Sequence, residues 1–210
     1  MERLIEIDQE LLLAINGWHS AWADQVMWII SGKLTWIPLY LVLIGLLFWR
    51  FGWRKALWMV LAIGVAVGLS DYISSGIIKH LVCRPRPTHE PLLEGLVHIV
   101  NGYRGGHYGF VSSHAANTMS VALLYCLIWK NESHHEWWLM IWVVLNCWSR
   151  MYLGVHYPGD IIGGLIVGAL VAAAVYAVLR RWVLRDPQPV ADDADRTGSA
   201  GSEIARTAPA

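Results

Sequence analysis

The chain has 210 residues, 56% of them hydrophobic and only 15% charged, and its 16 Lys+Arg balance 16 Asp+Glu to give no net charge. Soluble domains carry charge on roughly a quarter of their residues, so this composition excludes an ordinary globule in water and points to a membrane. The missing basic excess removes nucleic acid as a partner, and three cysteines without paired or metal-ligand spacing exclude a disulfide framework and a zinc site.

At the N-terminus, Leu4, Ile5, Leu11, Leu12 and Ile15 recur at helical spacing among Glu2, Glu6, Asp8 and Glu10. This predicts an amphipathic segment over residues 1–25, lying in the bilayer interface or packed as an arm on the other helices. An acidic start with no basic flank does not read as a cleavable signal. Five apolar stretches follow: Trp36 to Trp49, extended N-terminally through Met27 to Leu34; Ala56 to Ile78; Ala115 to Trp129; Trp137 to Leu153; and Ile161 to Val183. A bilayer crossing takes about 20 apolar residues, so the prediction is an all-α integral membrane bundle of about five transmembrane helices over residues 26–185. The 13 tryptophans suit its two interfaces. From Asp186 onward the sequence turns to Pro, Ala, Gly, Ser and acidic residues, which predicts a disordered tail over 186–210.

Arg50, Arg54, Lys55, Lys130, Arg180, Arg181 and Arg185 fall in connections at one end of such a bundle, and the positive-inside rule makes that end cytoplasmic. The connection carrying Lys79, Arg84, Arg86 and Arg104 is then outside, against the trend, and needs a chemical reason.

Three polar clusters supply one, and span counting brings all of them to the outer face: Lys79 to Pro87, Val111 to His114, and Ser149 to Asp160. Lys79, Arg86 and Arg150 are fixed positive charges, two of them guanidinium forks suited to oxyanions. Ser112 and the amides after it open a helix, where unpaired N–H groups and the helix dipole favour an anion. His156 can present a neutral ring nitrogen to phosphorus if its other nitrogen is held by a hydrogen bond, and Asp160, in the first turn after Pro158, is placed to hold it. His114 is left as a general acid for the departing oxygen. Taken singly, each residue has an ordinary structural use; together they read as a phosphate site.

The spacings Lys79-x6-Arg86-Pro87, Ser112-x-His114 and Ser149-Arg150-x5-His156-x3-Asp160 resemble the three signature motifs of the type 2 phosphatidic acid phosphatase (PAP2) superfamily. Its members include bacterial lipid phosphatases, glucose-6-phosphatase and the soluble vanadium haloperoxidases. The third pattern alone arises by chance in about one chain in a thousand of this length at average residue usage. The resemblance implies that His156 forms a phosphohistidine, Asp160 orients it, and His114 protonates the leaving group and then activates water. It implies that Lys79, Arg86, Ser112, Arg150 and the amide of Ser113 bind the phosphate, with no metal and no cofactor. Val111 and Ser113 depart from the family's Pro-Ser-Gly-His, and the Ser113 side chain is a candidate to crowd the phosphate.

The expected activity is metal-independent hydrolysis of a membrane lipid phosphate or diphosphate, of the undecaprenyl diphosphate, phosphatidylglycerol phosphate, phosphatidic acid or lipid A type. The expected place is the cell (inner) membrane, with the site on its periplasmic or extracellular side. The alternatives are a lipid phosphotransferase and a relative that binds lipid phosphate without turnover. The 87–111 connection, with Glu90, Glu94, Tyr103 and Arg104, is expected to select the substrate. Gly64-x3-Gly68 and Gly164-x3-Gly168 read as close-packing points between helices. Asp71, costly at its depth, either pairs with a site cation or faces a polar interior with Ser70, Ser74 and Ser75. His80, His89, His98, His107, His134 and His135 receive no site role.

Overall fold

A computed structural model of the chain describes residues 2–130 and 135–184; the tail predicted from Asp186 lies outside them. Among the described residues all regular structure is helical. Helix α1 is Glu2–Asn16, α2 Ala21–Ser31, α3 Ile37–Asp71, α4 Lys79–Val82, α5 Ser113–Trp129, α6 Trp138–Tyr152 and α7 Pro158–Trp182. A π-helical stretch, Tyr72–Ile78, joins α3 to α4 without a break.

Among the described residues two helical stretches are long and apolar enough to cross a membrane by length and composition: Leu34–Val82, of 49 residues, and Pro158–Trp182, of 25. The first is not straight. Residues 40 and 68 would stand about 42 Å apart along a straight helix, yet Tyr40 and Gly68 line one cavity. The reversal lies at Gly52, whose φ of 71° and ψ of 163° interrupt α3. A positive φ is open to glycine at little cost. The described residues therefore form five long helical legs, with residues 37–51 and 53–82 as the first two.

The segment around Met27 to Leu34 does not extend the first leg, as its hydropathy suggested. It ends α2, a separate helix capped at its start by Ser20 and stopped at Gly32. Helix α1 packs on α6 and α7 through Leu12 and Asn16, both buried, while Leu4, Ile5, Ile7 and Leu11 stay exposed. Asn16 donates to the carbonyls of His98 and Tyr152 at 3.0 and 2.7 Å and so holds α1 to the far loops.

Lipid tails are as apolar as Leu, so such helices associate through close packing rather than hydrophobic burial. The tightest contact is α5 on α7. A Cβ added at Gly164 would meet the Ser112 carbonyl oxygen, and one at Gly168 the Ala116 carbonyl oxygen. Gly64 and Gly68 are not packing points: a Cβ at either meets nothing within 4 Å. Gly164→Val is accordingly expected to destabilise the purified protein by about 1–3 kcal/mol, the usual cost of overpacking. Gly64→Ala should stay within about 0.5 kcal/mol of wild type. Thermal unfolding in detergent, followed by near-ultraviolet dichroism, distinguishes the two, and equal melting temperatures would refute the packing argument.

Leu41, Leu61, Ile141, Ile166 and Leu170 are exposed around the middle of the legs, where a soluble protein would place polar residues. Exposed Trp49, Trp53, Trp137, Trp138 and Trp182 gather at the end holding the Gly52 bend, near Arg50, Arg54, Lys55, Lys130, Arg180 and Arg181. This apolar girdle with an aromatic and basic rim belongs to a protein embedded in a membrane. At the opposite end α4 and α6 finish and α5 and α7 begin, and all three polar clusters meet there.

Candidate active site

His156 lies in the short α6–α7 connection with 1% of its surface exposed. Its Nε2 is 3.1 Å from Nη1 of Arg86. A guanidinium has only donors, so Nε2 must accept, and the ring proton therefore sits on Nδ1. That nitrogen faces Asp160 Oδ2 at 3.3 Å. Burial, reinforced by Arg86, Arg150, Lys79 and His114, holds the imidazole well below its ordinary pKa and hence neutral. The ring thus presents a lone pair toward the cations.

Asp160 is fully buried. It occupies the third position of α7, where Oδ2 also accepts the Tyr157 N–H at 3.1 Å and completes a capping box, with Pro158 opening the helix. The sequence that starts α7 therefore also aims the carboxylate back at His156.

Arg86 reaches the site from the long α4–α5 connection. Its backbone N–H donates to His107 at 3.0 Å, and Gly109 N–H donates to the Arg84 carbonyl at 2.8 Å, so residues 84–86 run as a short extended pair beside 107–109. Its side chain donates to the carbonyls of Tyr108 and Val155 at 3.1 and 3.2 Å. Gly109 leaves the room needed: a Cβ there would lie 2.8 Å from Asp160 Oδ2 and 3.3 Å from Arg86 Cγ.

Arg150, in the last turn of α6, is 3% exposed. It donates to the hydroxyls of Ser31 and Tyr103, while its buried Nε has no partner among the described residues. Lys79 Nζ contacts the Ser113 hydroxyl at 3.3 Å. The Ser113 side chain thus lies beside Lys79, and its backbone N–H remains at the helix start. Ser112 is fully buried, and its hydroxyl accepts the Ala115 N–H at 3.5 Å. The Ser112 N–H donates to the Asp160 carbonyl at 2.9 Å, fixing α5 against α7. Val111 packs on α7 at Gly163.

None of Lys79, Arg86 and Arg150 forms an ion pair among the described residues. Arg86 and Arg150 are buried and Lys79 half-buried; cations without counter-charge are expensive there, and all three lie within electrostatic reach of His156. An oxyanion placed among them would relieve that cost and offer a partner to the Arg150 Nε, and one that took over the Arg86 contact would stand beside His156 Nε2.

His114, in the first turn of α5, lines two cavities. One, of about 200 Å³, also touches Arg150, Tyr103 and Lys33. The other, of about 480 Å³, descends between α3, α5 and α6 and is lined by Asp71, Asn117 and Asn146. Asp71 accepts from Asn117 at 3.5 Å and makes no ion pair with Lys79, so the expected direct pairing with a site cation is not formed.

Sequence reasoning did not reach several residues here. Ser31 and Lys33 sit where the apolar pattern looked continuous, and only the Gly32 interruption signals a turn. Tyr103 accepts from Arg150 and lines the cavity beside His114, and Arg104 ties its own loop through Thr88. His98 pairs with Asp24 at 3.0 Å and stacks on His19, a fastening between α2 and the long loop.

A lipid A 4'-phosphatase of Bacteroides thetaiotaomicron is 39% identical over 191 residues, spanning 88% of this chain and 82% of that protein. Its counterpart in Porphyromonas gingivalis is 37% identical over 187 residues, spanning 87% and 79%. The fold matches the crystal structure of a transmembrane PAP2-type phosphatidylglycerolphosphate phosphatase from Bacillus subtilis, with a TM-score of 0.64 at 23% identity over 87% of this chain and 89% of that one. The sequence pattern of the PAP2 superfamily itself covers residues 55–184. On these grounds the chain belongs to the PAP2 superfamily and is a membrane-embedded phosphatase acting on lipid phosphate.

Proposed function

We propose that the protein removes a phosphate monoester from a glycolipid of the lipid A type, through a phosphohistidine at His156. Five helical legs cross the inner membrane, and the site faces the periplasm. Asp160 orients the nucleophile, His114 serves the leaving oxygen and then the water, and Lys79, Arg86, Arg150, Ser112 and the Ser113 amide hold the phosphate. Residues 1–25 border this 26–185 core as a packed, partly interfacial segment. The observation that carries the chemistry is that Lys79, Arg86 and Arg150 lie within electrostatic reach of His156 without carboxylate partners among the described residues, with Arg86 donating to its Nε2.

The choice of substrate is supported by the similarity to the two lipid A 4'-phosphatases and by the cavity beside His114. Its Asp71 carboxylate and the amides of Asn117 and Asn146 suit the hydroxyl and amide groups of a sugar. A carboxylate there opposes a second phosphate, as a diphosphate substrate would bring. The basic rim at the Gly52 end supports the outward orientation of the site.

The test is phosphate release by purified protein from lipid A 4'-phosphate, phosphatidic acid, phosphatidylglycerol phosphate and undecaprenyl diphosphate, with a hydroxyl acceptor added in a parallel series. Lipid A 4'-phosphate should give the highest kcat/KM, with free phosphate as product. Preference for the diphosphate would overturn the substrate assignment, and phosphate appearing on the acceptor would make the protein a transferase.

A further inference from the structure

Asp160 is fully buried, and an ionised carboxylate there needs a counter-charge close by. Arg84 supplies it. Its Nη1 donates to Asp160 Oδ1 at 3.1 Å, the oxygen not used by His156. Its Nη2 donates to Asp8 Oδ2 at 2.7 Å. Its guanidinium lies over the buried Tyr157 ring, 3.9 Å from the centroid. Asp8 is on α1, and its other oxygen accepts the Gly159 N–H at 2.7 Å, one residue before Asp160. A carboxylate from the N-terminal helix thus ties together the arginine and the first turn of α7.

We propose that Arg84 and Asp8 are positioning residues of the active site: Arg84 holds Asp160 ionised and aimed at His156, and Asp8 holds Arg84. Helix α1, which precedes the part of the chain matched by the family pattern, is then a working component of catalysis. The inference rests on His156 as nucleophile. Arg84 reaches Asp160 on the Nδ1 side of the imidazole, whereas Arg86 meets Nε2. It lines neither cavity beside His114, so it acts through Asp160 and not on substrate.

The electrostatic consequence has a sign. Arg86, Arg150, Lys79 and His114 act on His156 as neighbouring charges or potential charges, Arg86 at Nε2, and Asp160 meets its Nδ1. Asp160 in turn feels Arg84, Asp8 and Arg86. Removing the charge of Asp8 leaves Arg84 to draw on Asp160 alone, which weakens the support for a cationic ring. Removing the charge of Arg84 gives the whole field of Asp160 to the ring. The two changes push the protonation of His156 in opposite directions, which a merely structural role would not produce.

The experiment compares full-length wild type with Asp8→Asn, Arg84→Gln, Asp8→Glu and Arg84→Lys. Turnover of short-chain phosphatidic acid and of lipid A 4'-phosphate is read per folded molecule, beside histidine ¹⁵N spectra assigned with His156→Gln. Both charge-removing variants should lose about tenfold to hundredfold in kcat, as do outer partners of reacting groups generally, with KM within about threefold. The acid limb and the ¹⁵N titration of His156 should move down in pH for Asp8→Asn and up for Arg84→Gln, and the conservative variants should recover part of the rate. A rise in KM with kcat intact would make Arg84 a substrate ligand and overturn the proposal. Shifts in the same direction, or none, would also overturn it. The spectra report on the proposal even if wild type releases no phosphate from either lipid, an outcome that would instead count against the proposed function.

Discussion

His156→Ala is expected to lower phosphate release by about 10⁴- to 10⁶-fold, the range seen when the nucleophile is removed from a set of residues acting as a unit. The expectation follows from where the ring's proton lies. Arg86 donates at Nε2, so the proton is on Nδ1 and is received by Asp160. The reactive lone pair is therefore fixed before substrate arrives, on a ring that is itself buried. Wild type quenched during turnover should carry an acid-labile, base-stable phosphoenzyme, and His156→Ala should carry none. A wild type with no such species under rapid quench would remove the covalent route.

The pH profile gives an independent check on the same ring. Protonated imidazole cannot attack, so kcat/KM falls where His156 gains its proton in the free enzyme. Burial and the surrounding cations hold that point well below the ordinary 6.5 for this side chain. Activity should therefore be insensitive to His156 protonation between about pH 6 and 7 and decline only at lower pH. An acid limb centred at the ordinary histidine value would contradict the neutral, buried ring.

The site was legible in the sequence to the extent that its chemistry restricts residue type. Binding phosphate at a helix start and attacking it with an imidazole leave little choice at Arg86, Ser112, Arg150, His156 and Asp160. Span counting alone brought those residues to one end of the bundle. At Ser113, sequence cannot show that the side chain lies against Lys79. What supports the site was not legible. Arg84 sits inside a Arg-Pro-Arg-Pro run where either arginine fits an anion-binding role, and its partner Asp8 is 76 positions away. Asp8 looks like any exposed acid on an amphipathic helix until the fold places it beside Gly159.

The fold shows the same division. Apolar stretches located the legs, because lipid exposure demands them. Hydropathy is blind to direction, so the break between α2 and the first leg at Gly32 escaped it. Gly64 and Gly68 share the spacing of Gly164 and Gly168, but only the latter pair meets the backbone of a neighbouring helix.

His114→Ala should separate substrates by their leaving groups. A sugar or glycerol monoester must expel an alkoxide of high pKa, so loss of the acid should cost about 10²- to 10⁴-fold. A lipid diphosphate expels a phosphate, and p-nitrophenyl phosphate a stabilised phenolate; both leave without much help, and their rates should fall less than about tenfold. The position of His114 gives the reason. It lies in the first turn of α5, beside Ser112 and Ser113, and faces the cavity in which Asp71, Asn117 and Asn146 would receive the departing headgroup. The cations near it, Lys33, Arg86, Arg150 and Lys79, would be partly offset by a bound phosphate dianion, which favours a protonated imidazole at the moment a proton must be given. Rates on the three substrates, taken as ratios to wild type on the same preparation, isolate this effect from any loss of folded protein. Equal losses on all three would assign His114 to binding or to activation of the hydrolytic water, and would remove it as the acid for the leaving oxygen.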